Sequence, residues 1–120
     1  MNVAPDDLPI ELQAGDLVTR YAEWGEMALR HATVPAGTDM GPVLVGLPGD
    51  RCPSPHWGVV FTGAVRVTAA DGSETVTRAG EVYHWPAGHT AVMDEDTTFL
   101  EIGPVAPMRQ FGEHARAQLG

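Results

Sequence analysis

Glycine or proline interrupts this chain every few residues, and that punctuation limits what it can fold into. The breakers run from PAG at 35–37 through GP at 41–42, GLPGD at 46–50, CPSP at 52–55, TG at 62–63 and DG at 71–72. They continue with AG at 79–80, PAG at 86–88 and GP at 103–104. Between them lie short runs rich in Val, Thr and aromatic residues, a rhythm that predicts an all-β sandwich or barrel. The clearest hairpin is AVRVTAADGSETVTRAG, in which Val65 and Val67 alternate with Arg66 and Thr68. Asp71-Gly72 is expected to supply the positive φ angles of a tight turn there. Further strands are predicted at 27–34, 56–61, 81–85, 90–93 and 97–102.

The 120 residues suffice for one domain with one core. Residues 1–15 read as an N-terminal arm or an edge strand open to pairing with another subunit, 16–106 as the barrel, and 107–120 as a short C-terminal helix or tail. A single cysteine allows no internal disulfide. With no basic leader and no apolar run near the ~20 residues of a membrane span, the expectation is a soluble cytoplasmic protein. The formal charge of −9 argues against nucleic acid or an anionic membrane as partner. There is no lysine, so no Schiff-base nucleophile, and the Ala, Gly, Val, Pro and Arg bias fits a GC-rich bacterial genome.

Chemistry concentrates in two segments. In DRCPSPHWGVVFTG, residues 50–63, Asp50 and Cys52 share a face of an extended chain, and His56 opens the next strand beyond a stiff Pro-Ser-Pro corner. Thiolate, imidazole and carboxylate together suit a divalent transition metal. In GEVYHWPAGHTAVM, residues 80–93, a Pro-Ala-Gly turn delivers His89 to the start of a strand on which Ala91 and Met93 share its face. Each residue has a plainer reading: Cys52 as a small buried hydrophobe, Asp50 as a turn former beside Gly49, and the histidines as half-buried groups satisfied by carbonyls. Trp57, Tyr83 and Trp85 could wall a pocket or belong to the core; His84, whose phase a bulge before Pro86 would change, either lines the site or is structural or solvent-facing. His31 is a weaker candidate, and His114 in the tail is expected to be solvated. GxSxG, GxxxxGK[ST], HExxH and CxxC patterns are all missing, and DEDTTFLE lacks the central glycine of a calcium loop.

These two segments resemble the paired motifs of the cupin superfamily, G-x5-HxH-x3,4-E-x6-G and G-x5-PxG-x2-H-x3-N. His56 stands where the family has its glutamate, with six residues between it and Gly63. Cys52 and Asp50 fall on the two histidines of HxH. Gly80, Pro86 and Gly88 match the second motif, while Ala91 replaces its histidine and His89 stands two residues earlier. The chain is also similar to a subgroup of small bacterial cupins with PHWGxVxxG and PxGHT segments. The resemblance implies a single β-barrel (double-stranded β-helix, or jelly roll) and a homodimer. It further implies a divalent metal (Zn, Fe, Ni or Mn) held by His56, His89, Cys52 and Asp50, with His56 and His89 as the catalytic residues. Trp57, Tyr83, His84 and Met93 would line the pocket for a small organic substrate. Oxygenase, isomerase, lyase and cyclase chemistry are all hosted by this barrel. The alternative is a non-catalytic, metal-free cupin that binds a small molecule as sensor or carrier, favoured by the replacement of every standard ligand.

Overall fold

The computed structural model describes residues 1–119. Its strands are β1 (Ile10–Ala14), β2 (Leu17–Trp24), β3 (Met27–Val34), β4 (Thr38–Asp39), β5 (His56–Thr62), β6 (Ala64–Thr68), β7 (Glu74–Arg78), β8 (Val82–Trp85), β9 (Thr90–Met93) and β10 (Thr97–Pro104). A one-turn helix, α1 (Gly41–Leu44), follows β4, and α2 (Val105–Leu119) ends the described chain. The strands form two antiparallel sheets, ordered β1-β2-β3-β10-β5-β8 and β4-β9-β6-β7. This is the all-β architecture with a C-terminal helix that the breaker spacing and motifs predict.

Alternation builds the core between the sheets. On β3 the inward positions are Ala28, Arg30, Ala32 and Val34, and on β10 they are Thr97, Phe99, Glu101 and Gly103. Val60, Val65, Val67, Trp85 and Met93 fill the same layer. The helix α2 presents Met108, Gly112 and Ala115, spaced for one helical face, to the barrel. No helix among the described residues is long and apolar enough to cross a membrane.

Four local expectations need correction. Strand β2 was not expected, because its inward face mixes Leu17 and Thr19 with Tyr21 and gives no clean apolar alternation. Neither was α1, which is too short to show a helical period. In the β6–β7 hairpin only Gly72 takes a positive φ; Asp71 instead accepts hydrogen bonds from the Ser73 amide and hydroxyl, closing a longer turn. His114 is not simply solvated, since its Nε2 donates to the Val45 carbonyl 2.7 Å away and ties α2 to the end of α1.

Gly58 marks the closest approach of strands β5 and β10. A Cβ there would run into the Leu100 carbonyl and the Tyr83 hydroxyl, and that hydroxyl is itself held by the same carbonyl at 2.9 Å. Neither obstacle can swing aside. Gly58→Ala is therefore expected to destabilise the fold by about 1–3 kcal/mol, read as a lower urea midpoint; an unchanged midpoint would refute this account.

Candidate metal centre

Cys52 and His89 come together through the backbone. The Cys52 amide donates to the His89 carbonyl at 2.9 Å and the Gly88 amide returns a bond to the Cys52 carbonyl at 2.7 Å, forming an isolated antiparallel bridge between the two segments. The first residue of β5, His56, then lands on the same side. Its Nε2 lies 3.4 Å from Cys52 Sγ and 3.7 Å from Glu101 Oε2, and its ring is 5.0 Å from that of His89, edge to face. Ligand atoms of Cys52, His56 and His89 all fall within 4.8 Å of one another, and all three residues are buried.

Burial sets the protonation states. Desolvation, helped by the nearby Arg30 charge, pushes the His56 pKa down to about 3. Desolvation and the proximity of His56 push His89 down to about 4. Both rings are neutral at pH 7. His89 Nδ1 lies 2.8 Å from the Pro86 carbonyl and, as donor to it, leaves the Nε2 lone pair free. His56 Nδ1 is buried with no hydrogen-bond partner. Whichever nitrogen carries the hydrogen, that ring has an unmet polar atom, a penalty of about 1–3 kcal/mol. The Cys52 thiol is raised to about 12 by burial, so without a cation beside it the sulfur stays protonated.

This donor set fits a transition metal. Bonds of about 2.0–2.3 Å in a tetrahedral site place ligand atoms roughly 3.3–3.7 Å apart. The Cys52–His56 separation of 3.4 Å already has that value. One thiol and two neutral imidazoles are the ligand types that zinc and its neighbours prefer.

Glu101 was missed by the sequence reading. It is buried on β10, directly opposite Arg30 in the β3 register. Arg30 Nη1 donates to Glu101 Oε2 at 2.6 Å, while Nε and Nη2 grip both oxygens of Glu11 at 2.7 and 2.9 Å. Burial raises the Glu101 pKa and Arg30 restrains the rise. A signal was present in TTFLEIG, where period two puts Glu101 on the same face as Phe99.

The other candidates lie elsewhere. Asp50 is exposed, with φ of 55°, and its carboxylate accepts the Gly46 amide at 3.0 Å, so it shapes the turn beside Gly49 and stands apart from the cluster. Trp57 and His84 stack on each other on the outer face of the large sheet, 4.8 Å apart. Tyr83 packs on the edge of the core, its hydroxyl spent on Leu100. His31 lies on the outer face against Phe61. Of the four expected pocket residues, Met93 alone lines the central cavity, which also takes in Trp85 and the three clustered ligands.

No family model matches the sequence, and no curated protein matches it. Solved structures do. An RmlC-like cupin from Shewanella frigidimarina superposes with a TM-score of 0.62 at 16% identity, over 87% of this chain and 89% of that one. KdgF from a Halomonas species gives 0.61 at 17% identity over 87% and 94%. Oxalate decarboxylase from Bacillus subtilis gives 0.61 at 16% identity, over 85% of this chain but only 28% of the enzyme. Two antiparallel sheets with a cavity between them, matched over most of the chain by these neighbours, give this protein the cupin fold.

Proposed function

We propose that Cys52, His56 and His89 hold a divalent transition metal (Zn, Fe, Ni or Mn) and that a small organic molecule binds beside it as substrate. The observation that carries this reading is the convergence of three buried ligand side chains from two separated segments within 4.8 Å. When bound, such an ion acts as a Lewis acid on an oxygen of the ligand. The protein's own part is to keep both imidazoles unprotonated, so that they offer lone pairs, to the ion or as proton acceptors. Asp50 does not take part.

The cavity narrows the ligand class. It measures about 60 Å³ and its walls include Leu12, Leu17, Val34, Met93 and Phe99. Arg30 also lines it, but its guanidinium is spent on Glu11, Glu101 and the Met108 carbonyl. Apart from the metal itself, a charged ligand would find Glu101 and no free cationic side chain in this wall. The ligand is therefore a molecule of few atoms and mostly apolar, with one or two oxygens for the metal.

Protein purified without added metal, then loaded with zinc or cobalt(II), is expected to hold about one ion per chain. The cobalt form should show thiolate-to-metal charge transfer. Cys52→Ser should abolish that band, and His89→Ala should weaken binding by more than the roughly 10–100-fold that loss of an outer partner costs. Metal-free protein that takes up neither ion, with the same urea midpoint in chelator as without, would instead support the non-catalytic binder.

A further inference from the structure

The central cavity holds one polar group that the proposed metal site leaves unused. Glu101 lines it from β10 and is only 5% exposed. Just one of its oxygens is held: Arg30 Nη1 donates to Oε2 at 2.6 Å, and that same oxygen lies 3.7 Å from His56 Nε2. No donor among the described residues reaches Oε1. Nor is Oε1 walled in, because His56 Nδ1 is the sole side-chain nitrogen or oxygen among the described residues that is fully buried without a partner. Oε1 therefore opens on the space this residue lines, the cavity. Neighbouring polar groups are committed elsewhere. Thr19 gives its hydroxyl hydrogen to Glu11 at 2.9 Å, Arg30 divides its guanidinium among Glu11, Glu101 and the Met108 carbonyl, and His89 Nδ1 faces the Pro86 carbonyl.

From this open acceptor we infer that Glu101 is the residue that selects the ligand: its Oε1 hydrogen-bonds a hydroxyl of a small hydroxy-carbonyl compound. The inference rests on the metal site proposed at Cys52, His56 and His89, where the carbonyl oxygen of that compound would sit. Reach supports it. With the carboxyl group 3.7 Å from a ligating nitrogen, oxygens on neighbouring carbons can serve ion and carboxyl at once. Chemistry points the same way. A hydroxyl both donates and accepts, so it satisfies a carboxyl group in either protonation state, whereas a methyl group in its place leaves a buried polar atom unpaired. A site built to pair with a hydroxyl rejects the analogue that lacks one. Arg30 adds preorganisation, since it anchors Oε2 before any ligand arrives and little order has to be imposed on binding. Leu12, Leu17, Val34, Met93 and Phe99 supply the apolar remainder of the wall.

Hydroxyacetone and butanone are the probes, because they share a carbonyl and a heavy-atom count and differ by a hydroxyl in place of a methyl. Each is titrated to about 50 mM into protein incubated with zinc, and backbone amide shifts give the dissociation constants. Hydroxyacetone should bind at least about tenfold more tightly than butanone. Glu101→Leu leaves Arg30 gripping Glu11 and should bring the two probes to equal affinity. Glu101→Asp draws the carboxyl back by one methylene and should weaken hydroxyacetone several-fold while leaving butanone unchanged, so it decides the matter if the leucine variant fails to fold. Equal affinities in the wild type overturn the inference. So does a preference that survives Glu101→Leu or is untouched by Glu101→Asp, and so does the binding of neither probe. Zinc content measured on the same samples separates the two readings. Zinc bound with no hydroxyl preference sinks the role of Glu101 and leaves the metal site standing, whereas a Glu101-dependent preference in zinc-free protein upholds that role and overturns the metal site.

Discussion

Arg30→Met is expected to cost about 3–5 kcal/mol of folding stability, the penalty for leaving buried charges without their partner. Set against the 5–15 kcal/mol typical of a whole domain, this is enough to unfold much of the population. The guanidinium joins four elements: it grips Glu11 of β1 with two bonds, Glu101 of β10 with one and the Met108 carbonyl of α2 at 3.1 Å, all from its seat on β3. Tyr21 and Phe111 rings flank it at 5.1 and 4.9 Å. Gly112 lets the helix approach this far, because a Cβ there would collide with the Glu11 carboxylate. Methionine fills the space but leaves Glu101 buried with no arginine, and Glu11 with only the exposed Arg116 at 3.9 Å. Arg30→Lys keeps the charge and loses the two-pronged grip, so it should fall between the two. Replacing Glu11 and Glu101 by leucine together with Arg30→Met removes the charges as a set and should restore most of the loss. Urea unfolding followed by tryptophan fluorescence measures all of these. An Arg30→Met midpoint within about 1 kcal/mol of wild type would show that the triad does not hold the barrel to its helix.

That triad also shows where the sequence stops being informative. The strands were legible because each is a short run with its own turn signals, as in the hairpin around Asp71-Gly72. The cluster was partly legible: the spacing from Cys52 through His56 to Gly63 and the PAGH turn before His89 point at one cavity, and both histidines do line it. Asp50 was misread because period two assumes an extended chain, whereas its φ of 55° turns the side chain back toward Gly46. Trp57 and His84 were placed inside, but they sit on the outward phase of their strands, which only the pairing with Ile102 and with each other reveals. Arg30 and Glu101 are 71 residues apart, and nothing local marks them as partners. Each is a charge on the apolar face of its own strand, and the register that joins them is a property of the folded sheet.

Chelator-treated protein is expected to lose stability steeply as pH falls below about 6.5, through the two buried histidines. In the unfolded chain both rings take up a proton near their ordinary value, while in the native state burial holds His56 down to about 3 and His89 down to about 4. Their stabilising contribution is therefore complete above about 6.5 and drains away between that pH and the native values. Each unit of separation is worth about 1.4 kcal/mol, so the pair can remove several kcal/mol by pH 4.5. Glu101 works in the opposite sense. Burial raises its native pKa, so the native state binds that proton first and gains as pH falls. The histidine share is separated by variants. His56→Gln and His89→Gln should each flatten the fall in urea midpoint between pH 7 and 4.5, and Glu101→Gln should steepen it. A bound metal competes with the proton for the same nitrogens, so zinc at a hundred times its dissociation constant should add about 2.7 kcal/mol at pH 7 and progressively less toward pH 4.5. A wild-type midpoint that stays level over this range, with the two glutamine variants parallel to it, would mean that these rings are not held neutral by the fold.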